Sequence, residues 1–140
     1  MNARVKIVTA SLAVSAALGI ILSRSESARW TWSRAAGLAL AIPSLVLWAV
    51  ARVELGKSFS IAAKAKELKT DGLYAKIRNP IYVFGTLFIA GLILATGKPA
   101  GLLVLLVIAP MQVMRARREA KVLEEKFGDE YREYRRKTWF

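Results

Sequence analysis

Four apolar runs, Val5–Leu22, Ala35–Val53, Ile81–Thr96 and Ala100–Met114, fill about half of a 140-residue chain. The first two, at 18 and 19 residues, are long enough to cross the ~30 Å hydrocarbon core of a bilayer. The last two, at 16 and 15, fall short of the usual ~20, so each needs a turn of flanking residues. The connection "TGKPAG" between them is too tight for anything except a hairpin of helices. A water-soluble chain of this length cannot bury four such runs, because small folds leave much of their surface in solvent. The expected fold is an all-α membrane protein: one integral membrane domain, residues 1–140, with four transmembrane helices.

The charge pattern orients that expectation. The formal net charge is +12, and lysine and arginine are confined to particular connections. Two, Arg4 and Lys6, lie at the N-terminal end, seven lie in Arg52–Arg78 and nine follow from Arg115 onward; the other connections hold three and one. Eighteen against four is a positive-inside signal that places both termini and the middle loop in the cytoplasm, as in a bacterial cytoplasmic membrane. Trp30 and Trp32 then fall at the outer interface, where aromatic belts occur. A nucleic acid is not expected as partner, since its basic footprint belongs on a soluble fold. The opening residues also resemble a signal peptide, but their apolar run exceeds the usual h-region, so a retained span is expected. The absence of cysteine excludes disulfides, thiol catalysis and a prenylated C-terminus on this chain. The absence of histidine removes imidazole acid–base chemistry and the common His-ligated metal sites, so no metal is expected.

Smaller signals fill in the organisation. Ser11, Ser15 and Gly19 recur every four residues and let another helix approach closely, more simply within the chain than across a dimer. Pro43 and Pro110 lie inside apolar runs and predict kinks. The basic segment after Val53 reads as an interfacial loop on the cytoplasmic membrane surface, drawn to anionic lipid headgroups and ended by the Asp71-Gly72 turn. Beyond the fourth run, Ala116, Ala120, Leu123 and Phe127 recur at helical spacing, and Tyr131 and Tyr134 extend the stripe. This predicts a cytoplasmic C-terminal helix, broken at Gly128 and resumed with Asp129 as its cap.

The stretch "GLYAKIRNPIYVFG" places Arg78, Asn79 and Pro80 at the mouth of the third run. Asn79 is a good N-cap and Pro80 fits a first helical turn, so the triplet can simply start a helix. The same start offers free N–H groups, a positive dipole end and a guanidinium to an anionic ligand. Because the third and fourth runs form a hairpin, their cytoplasmic ends must be neighbours. Arg78 and Tyr82 are therefore expected to meet Arg115 and Glu119 at one membrane-surface pocket. Arg115 and Glu119 can also be an exposed i,i+4 ion pair worth a few tenths of a kcal/mol. Arg before Glu is the poorer order for helix support.

The segments "LKTDGLYAKIRNPIYV" and "RARREAKVLEEKFGDEYREY" together resemble the isoprenylcysteine carboxyl methyltransferases, integral membrane enzymes that use S-adenosylmethionine. The family pattern runs roughly Leu-Val-x-x-Gly-Pro-Tyr, Arg-His-Pro-x-Tyr, Arg-x-x-x-Glu-Glu-x-x-Leu and Phe-Gly-x-Glu-Tyr-x-x-Tyr, and the resemblance covers about Lys66 to Tyr134. It implies a cytoplasmic cofactor region over 54–83 and 115–140. Lys66, Glu67, Leu68, Lys69 and Tyr74 would help enclose S-adenosylmethionine. Arg78, Asn79, Pro80, Ile81, Tyr82 and Val83 would continue that wall. Glu119 would hold the cofactor's amino end, and Arg115 would orient an acceptor carboxylate. Three positions depart from the pattern: Asn79 stands where the family most often has His, Ala120 replaces the second glutamate and Leu73 replaces a proline.

The chemistry is compatible with this residue set. Methyl transfer from a sulfonium is an in-line displacement that depends on holding the reactants collinear. A carboxylate acceptor is ionised at neutral pH and requires no general base. A guanidinium positions it bidentately, and aromatic faces such as Tyr74 and Tyr82 favour a sulfonium cation. The expected partners are membrane lipids and a lipidic acceptor, either a prenylated thiol-linked carboxylate or another amphiphile such as a phospholipid amine. Two other readings stay open: a nicotinamide-dependent membrane oxidoreductase of related architecture, and a non-enzymatic membrane scaffold.

Overall fold

The computed structural model describes residues 31–56 and 68–140, so the first apolar run, with its Ser11, Ser15 and Gly19 stripe, and residues 57–67 lie outside the described residues. Four α-helices follow in order: α1 (Trp32–Leu55), α2 (Pro80–Ala95), α3 (Leu105–Phe127) and α4 (Asp129–Lys137). Short 3₁₀ helices at Gly72–Ala75 and Pro99–Val104 precede α2 and α3. Among the described residues there is no strand, only an isolated parallel bridge between Ile77 and Trp139.

Helix α1 begins where the Thr31 hydroxyl accepts the Arg34 N–H at 3.3 Å. Its 24 residues span about 36 Å and extend the expected run at both ends. Helix α2 has 16 residues and spans about 24 Å, and Pro80 occupies its first turn. The fourth run and the expected cytoplasmic helix are one element, since helical structure continues from Ala100 to Phe127 over 28 residues. No glycine or proline stands between Pro110 and Gly128, so nothing stops the helix where it leaves the apolar window. It ends at Gly128, where φ is +54° and the N–H returns to the Glu124 carbonyl at 2.9 Å. The cap position of α4 is Gly128 and not Asp129, which is already helical and bonds Arg132 at 3.1 Å.

Among the described residues two helices, α1 and the one covering Ala100–Phe127, are long and apolar enough to cross a membrane; α2 is shorter. Little of either window is buried by the rest of the protein. Ile42, Val46 and Val53 on one, and Leu103, Leu106 and Val107 on the other, are exposed. An apolar surface of that extent is characteristic of a face that meets lipid or a partner.

The core is built from backbone approach and not from large side chains. Helices α1 and α2 run antiparallel, with Gly37, Ala41 and Ser44 of α1 buried against Gly91 and Ala95 of α2. A Cβ added to Gly91 would lie 2.6 Å from the Ala41 nitrogen, so only glycine admits this crossing. Ser33 adds a hydroxyl bond to the Leu94 carbonyl at 2.6 Å. Such small-residue contact is how helices associate where lipid removes the hydrophobic drive between them.

Candidate functional site

At the end of α1, Glu54 carries a negative charge on the helix's negative dipole end, which is unfavourable unless the carboxylate has another use. It has one: Oε2 accepts the Leu73 N–H at 2.9 Å. Gly72, at φ +60°, lies so close to that carboxylate that a Cβ would collide with it. The Tyr74 hydroxyl donates to the Ala51 carbonyl at 3.3 Å, and the Tyr134 hydroxyl donates to the Tyr74 carbonyl at 2.7 Å. The Gly72–Ala75 turn is thus clamped between α1 and α4. Burial raises the Tyr74 phenol above its ordinary value and pushes Tyr134 up to about 12, so both remain protonated donors at neutral pH. Tyr74 is buried and holds this wall together; its ring is not an open face for a cation.

The chain then crosses to α2 through Lys76–Asn79, where residues 139–140 lie alongside. Trp139 N–H donates to the Lys76 carbonyl at 2.8 Å, and Arg78 N–H donates to the Trp139 carbonyl at 3.0 Å. Asn79 occupies the N-cap position of α2, yet its side chain does not cap the helix. Its N–H and its Nδ2 both donate to the Phe140 main-chain oxygen, each at 3.0 Å. That acceptor draws the side-chain amide away from the helix, and the Tyr82 and Val83 N–H groups bond the Asn79 carbonyl instead. The expectation of a capping side chain is therefore corrected. Pro80 is fully buried, and Ile81, Tyr82 and Val83 are half-buried. Arg78 is half-buried too; its Nε is buried without a hydrogen-bond partner among the described residues, and its guanidinium lies beside the Tyr131 hydroxyl.

The two halves of the site join across the helices. The Tyr82 hydroxyl donates to Glu119 Oε1 at 2.5 Å, linking the first turn of α2 to α3. The hairpin geometry expected from the sequence thus brings Tyr82 and Glu119 together. Arg115 and Glu119 form no i,i+4 ion pair: Glu119 is half-buried against Tyr82, and Arg115 is exposed. Arg115 and Arg52 are both within electrostatic reach of the Tyr82 hydroxyl, and the Arg52 guanidinium lies 5.7 Å from the Trp48 ring centroid. Of the first wall segment, Lys66 and Glu67 lie outside the described residues, Leu68 is half-buried, and Lys69 bonds Asp71 at 2.8 Å. That lysine holds the Asp71 carboxyl below its usual range.

Sequence reasoning did not single out Glu54, Arg52 or the Trp139–Phe140 segment. Glu54 had a usable signal, its position against the helix dipole. The pairing of residues 139–140 with Lys76–Asn79 had none, because it spans some sixty residues without a periodic pattern.

The assembled site combines a half-buried carboxylate, a buried unpartnered guanidinium nitrogen, a phenol and an exposed arginine at one end of the helices. Such a set suits a small zwitterion. The family model for phospholipid methyltransferase matches residues 32–130. The chain is also 37% identical over 99 residues to Protein-S-isoprenylcysteine O-methyltransferase of Schizosaccharomyces pombe, covering 63% of this chain and 40% of that protein. It therefore spans about two fifths of the length of that relative. No solved structure matches the chain. With more than two thirds of its length inside the matched region, the chain belongs to the phospholipid methyltransferase family and is isoprenylcysteine carboxyl methyltransferase-like.

Proposed function

We propose that the protein is an integral membrane enzyme that moves a methyl group from S-adenosylmethionine to a lipidic acceptor. The observation that carries this reading is the Tyr82–Glu119 bond, which unites two separate family segments within electrostatic reach of Arg115. The donor set fits the cofactor's methionine end. Glu119 supplies a carboxylate for the ammonium, and the unpartnered Nε of Arg78 supplies a donor for the carboxylate. Tyr82 offers an aromatic face toward a sulfonium. When bound, S-adenosylmethionine supplies the electrophilic methyl group. Holding that group in line with the acceptor is the remaining work of the site.

Arg115, exposed at the rim, suits an acceptor carboxylate through its planar fork. Such a carboxylate arrives ionised and asks for no base. An amine acceptor, in keeping with the phospholipid description of the matched family, has to arrive neutral, and the chain has no imidazole to take its proton. We therefore favour a carboxylate on an amphiphile. Titration of purified protein in detergent with S-adenosylmethionine and with NADPH tests the reading. Binding of the first alone is expected; binding of NADPH alone would favour an oxidoreductase, and binding of neither a scaffold.

Three further results are expected. Four spans with cytoplasmic termini follow from the eighteen-to-four charge split, so single cysteines at Ser27 and Ser58 should label oppositely from outside. Labelling of Ser58→Cys in intact cells would overturn that orientation. Asn79 acts by hydrogen bonding and not by proton transfer, so Asn79→His should keep substantial activity and Asn79→Leu should lose cofactor affinity. A folded histidine variant that binds no cofactor would contradict this role. Arg115→Lys keeps the charge but loses the fork, so turnover should fall while cofactor affinity, read by calorimetry, stays at the wild-type value.

A further inference from the structure

Helix α4 ends where Thr138 turns extended, at φ −121° and ψ 149°. From there residues 139–140 bind the segment that leads into α2. The main-chain donors of Arg78 and Asn79, and the Asn79 amide, are all consumed by Trp139 and Phe140. Those donors are therefore closed to any anion, and the Arg78 guanidinium is left as the donor that this segment offers. The Trp139 indole takes no part in this pairing. It stacks obliquely on Phe140 with ring centroids 5.9 Å apart; the residue is 65% exposed, and its backbone is bridged to Ile77, three residues before α2 begins. On the proposed topology that level is the cytoplasmic boundary of the membrane. The last turn of α4 adds exposed Arg135, Arg136 and Lys137. An exposed indole beside a basic turn is the composition of a contact with anionic lipid.

We propose that Trp139 and Phe140 form a strap that positions Arg78 and Asn79 for the methyl donor, and that insertion of the Trp139 indole into an anionic lipid surface seats it. The inference rests on the methyltransferase reading for its kinetic consequence and on the geometry alone for its structural one. A seated strap holds the Lys76–Asn79 backbone in the bridged conformation, which fixes where Arg78 leaves the chain. An unseated strap leaves that segment free to move. The occupant is lipid and not a protein, because the basic turn and indole lie beside the membrane entry of α2.

The test uses the full chain in nanodiscs of phosphatidylcholine, with or without phosphatidylglycerol. Anionic lipid is expected to lower the wild-type KM for S-adenosylmethionine severalfold with kcat unchanged. In Trp139→Ala the two lipid compositions should give the same KM. Deleting residues 139–140 should raise KM about tenfold at unchanged kcat, the loss of a few hydrogen bonds. The same deletion should abolish hydrogen-exchange protection of the Arg78 and Asn79 amides. In a background with Trp30, Trp32 and Trp48 replaced by Phe, Trp139→Ala should also remove the indole quenching by lipids brominated near the headgroup. Full lipid dependence in Trp139→Ala would overturn the lipid seat. Intact protection and unchanged KM after the deletion would overturn the strap. A wild-type protein that binds no donor would instead defeat the proposed function, while exchange and quenching would still decide the strap.

Discussion

Replacing Glu119 with glutamine is expected to weaken S-adenosylmethionine binding by about 1.5–3 kcal/mol, roughly 10- to 150-fold, with the protein still folded. The change removes one charge and little else. Glutamine keeps the shape of the side chain, and its carbonyl can still accept the Tyr82 hydroxyl that joins α2 to α3. Structure is thereby held constant while the proposed partner of the cofactor's ammonium is neutralised. Tyr82→Phe does the converse: the carboxylate keeps its charge and loses the donor that fixes it. Its effect on affinity should be smaller, about 0.5–1.5 kcal/mol for lost positioning. Because the two groups touch, the double variant should fall short of the sum of the singles. If Glu119 were only a surface charge, its replacement would change stability by a few tenths of a kcal/mol and leave affinity alone. Calorimetric titration of all three variants separates these cases, and unchanged affinity in Glu119→Gln would place the cofactor elsewhere.

What the sequence made legible follows from the range of the forces involved. The helices were readable because an apolar run declares itself locally, and α1 and α2 fall within a few residues of the expected bounds. The meeting of Tyr82 with Glu119 was readable at longer range, because a tight turn leaves two consecutive helices no choice but to lie together. The fate of the Asn79 side chain was not. Its capping preference is a local tendency, and it loses to an acceptor delivered by residue 140, which no local pattern announces. The boundary after Met114 misled for a different reason. Polarity changes there, but helix propensity does not, so the apolar helix and its basic extension are one continuous element. The small-residue contact between α1 and α2 was legible in kind but was not singled out at these positions. Sequence reading found such a stripe at Ser11, Ser15 and Gly19, outside the described residues, while Gly37 with Ala41 and Gly91 with Ala95 show the same four-residue spacing.

That contact yields the other large effect: Gly91→Val is expected to destabilise the protein by about 1–3 kcal/mol or more. The argument rests on what the new atoms would strike. A Cβ at Gly91 lies 2.6 Å from the Ala41 nitrogen and 2.7 Å from the Gly37 oxygen, and both are backbone atoms. Neither can rotate away, so the helices themselves must part. Gly85→Ala is the matched control on the same helix: there a Cβ meets only the Trp48 ring, at 3.4 Å, an ordinary contact. Alanine also favours a helix over glycine by about 1 kcal/mol, so this variant should melt at or slightly above the wild-type temperature. Thermal unfolding in detergent, followed by circular dichroism, reads both. A Gly91→Val protein that melts with the wild type would mean that α1 and α2 do not cross at this glycine. If the crossing is as described, the damage reaches the site as well. Glu54 and Ala51 hold the Gly72–Ala75 turn from the far end of α1, so any splay between α1 and α2 pulls that turn away from Arg78 and Tyr82. Cofactor affinity should then fall in Gly91→Val even below its melting temperature and stay unchanged in Gly85→Ala.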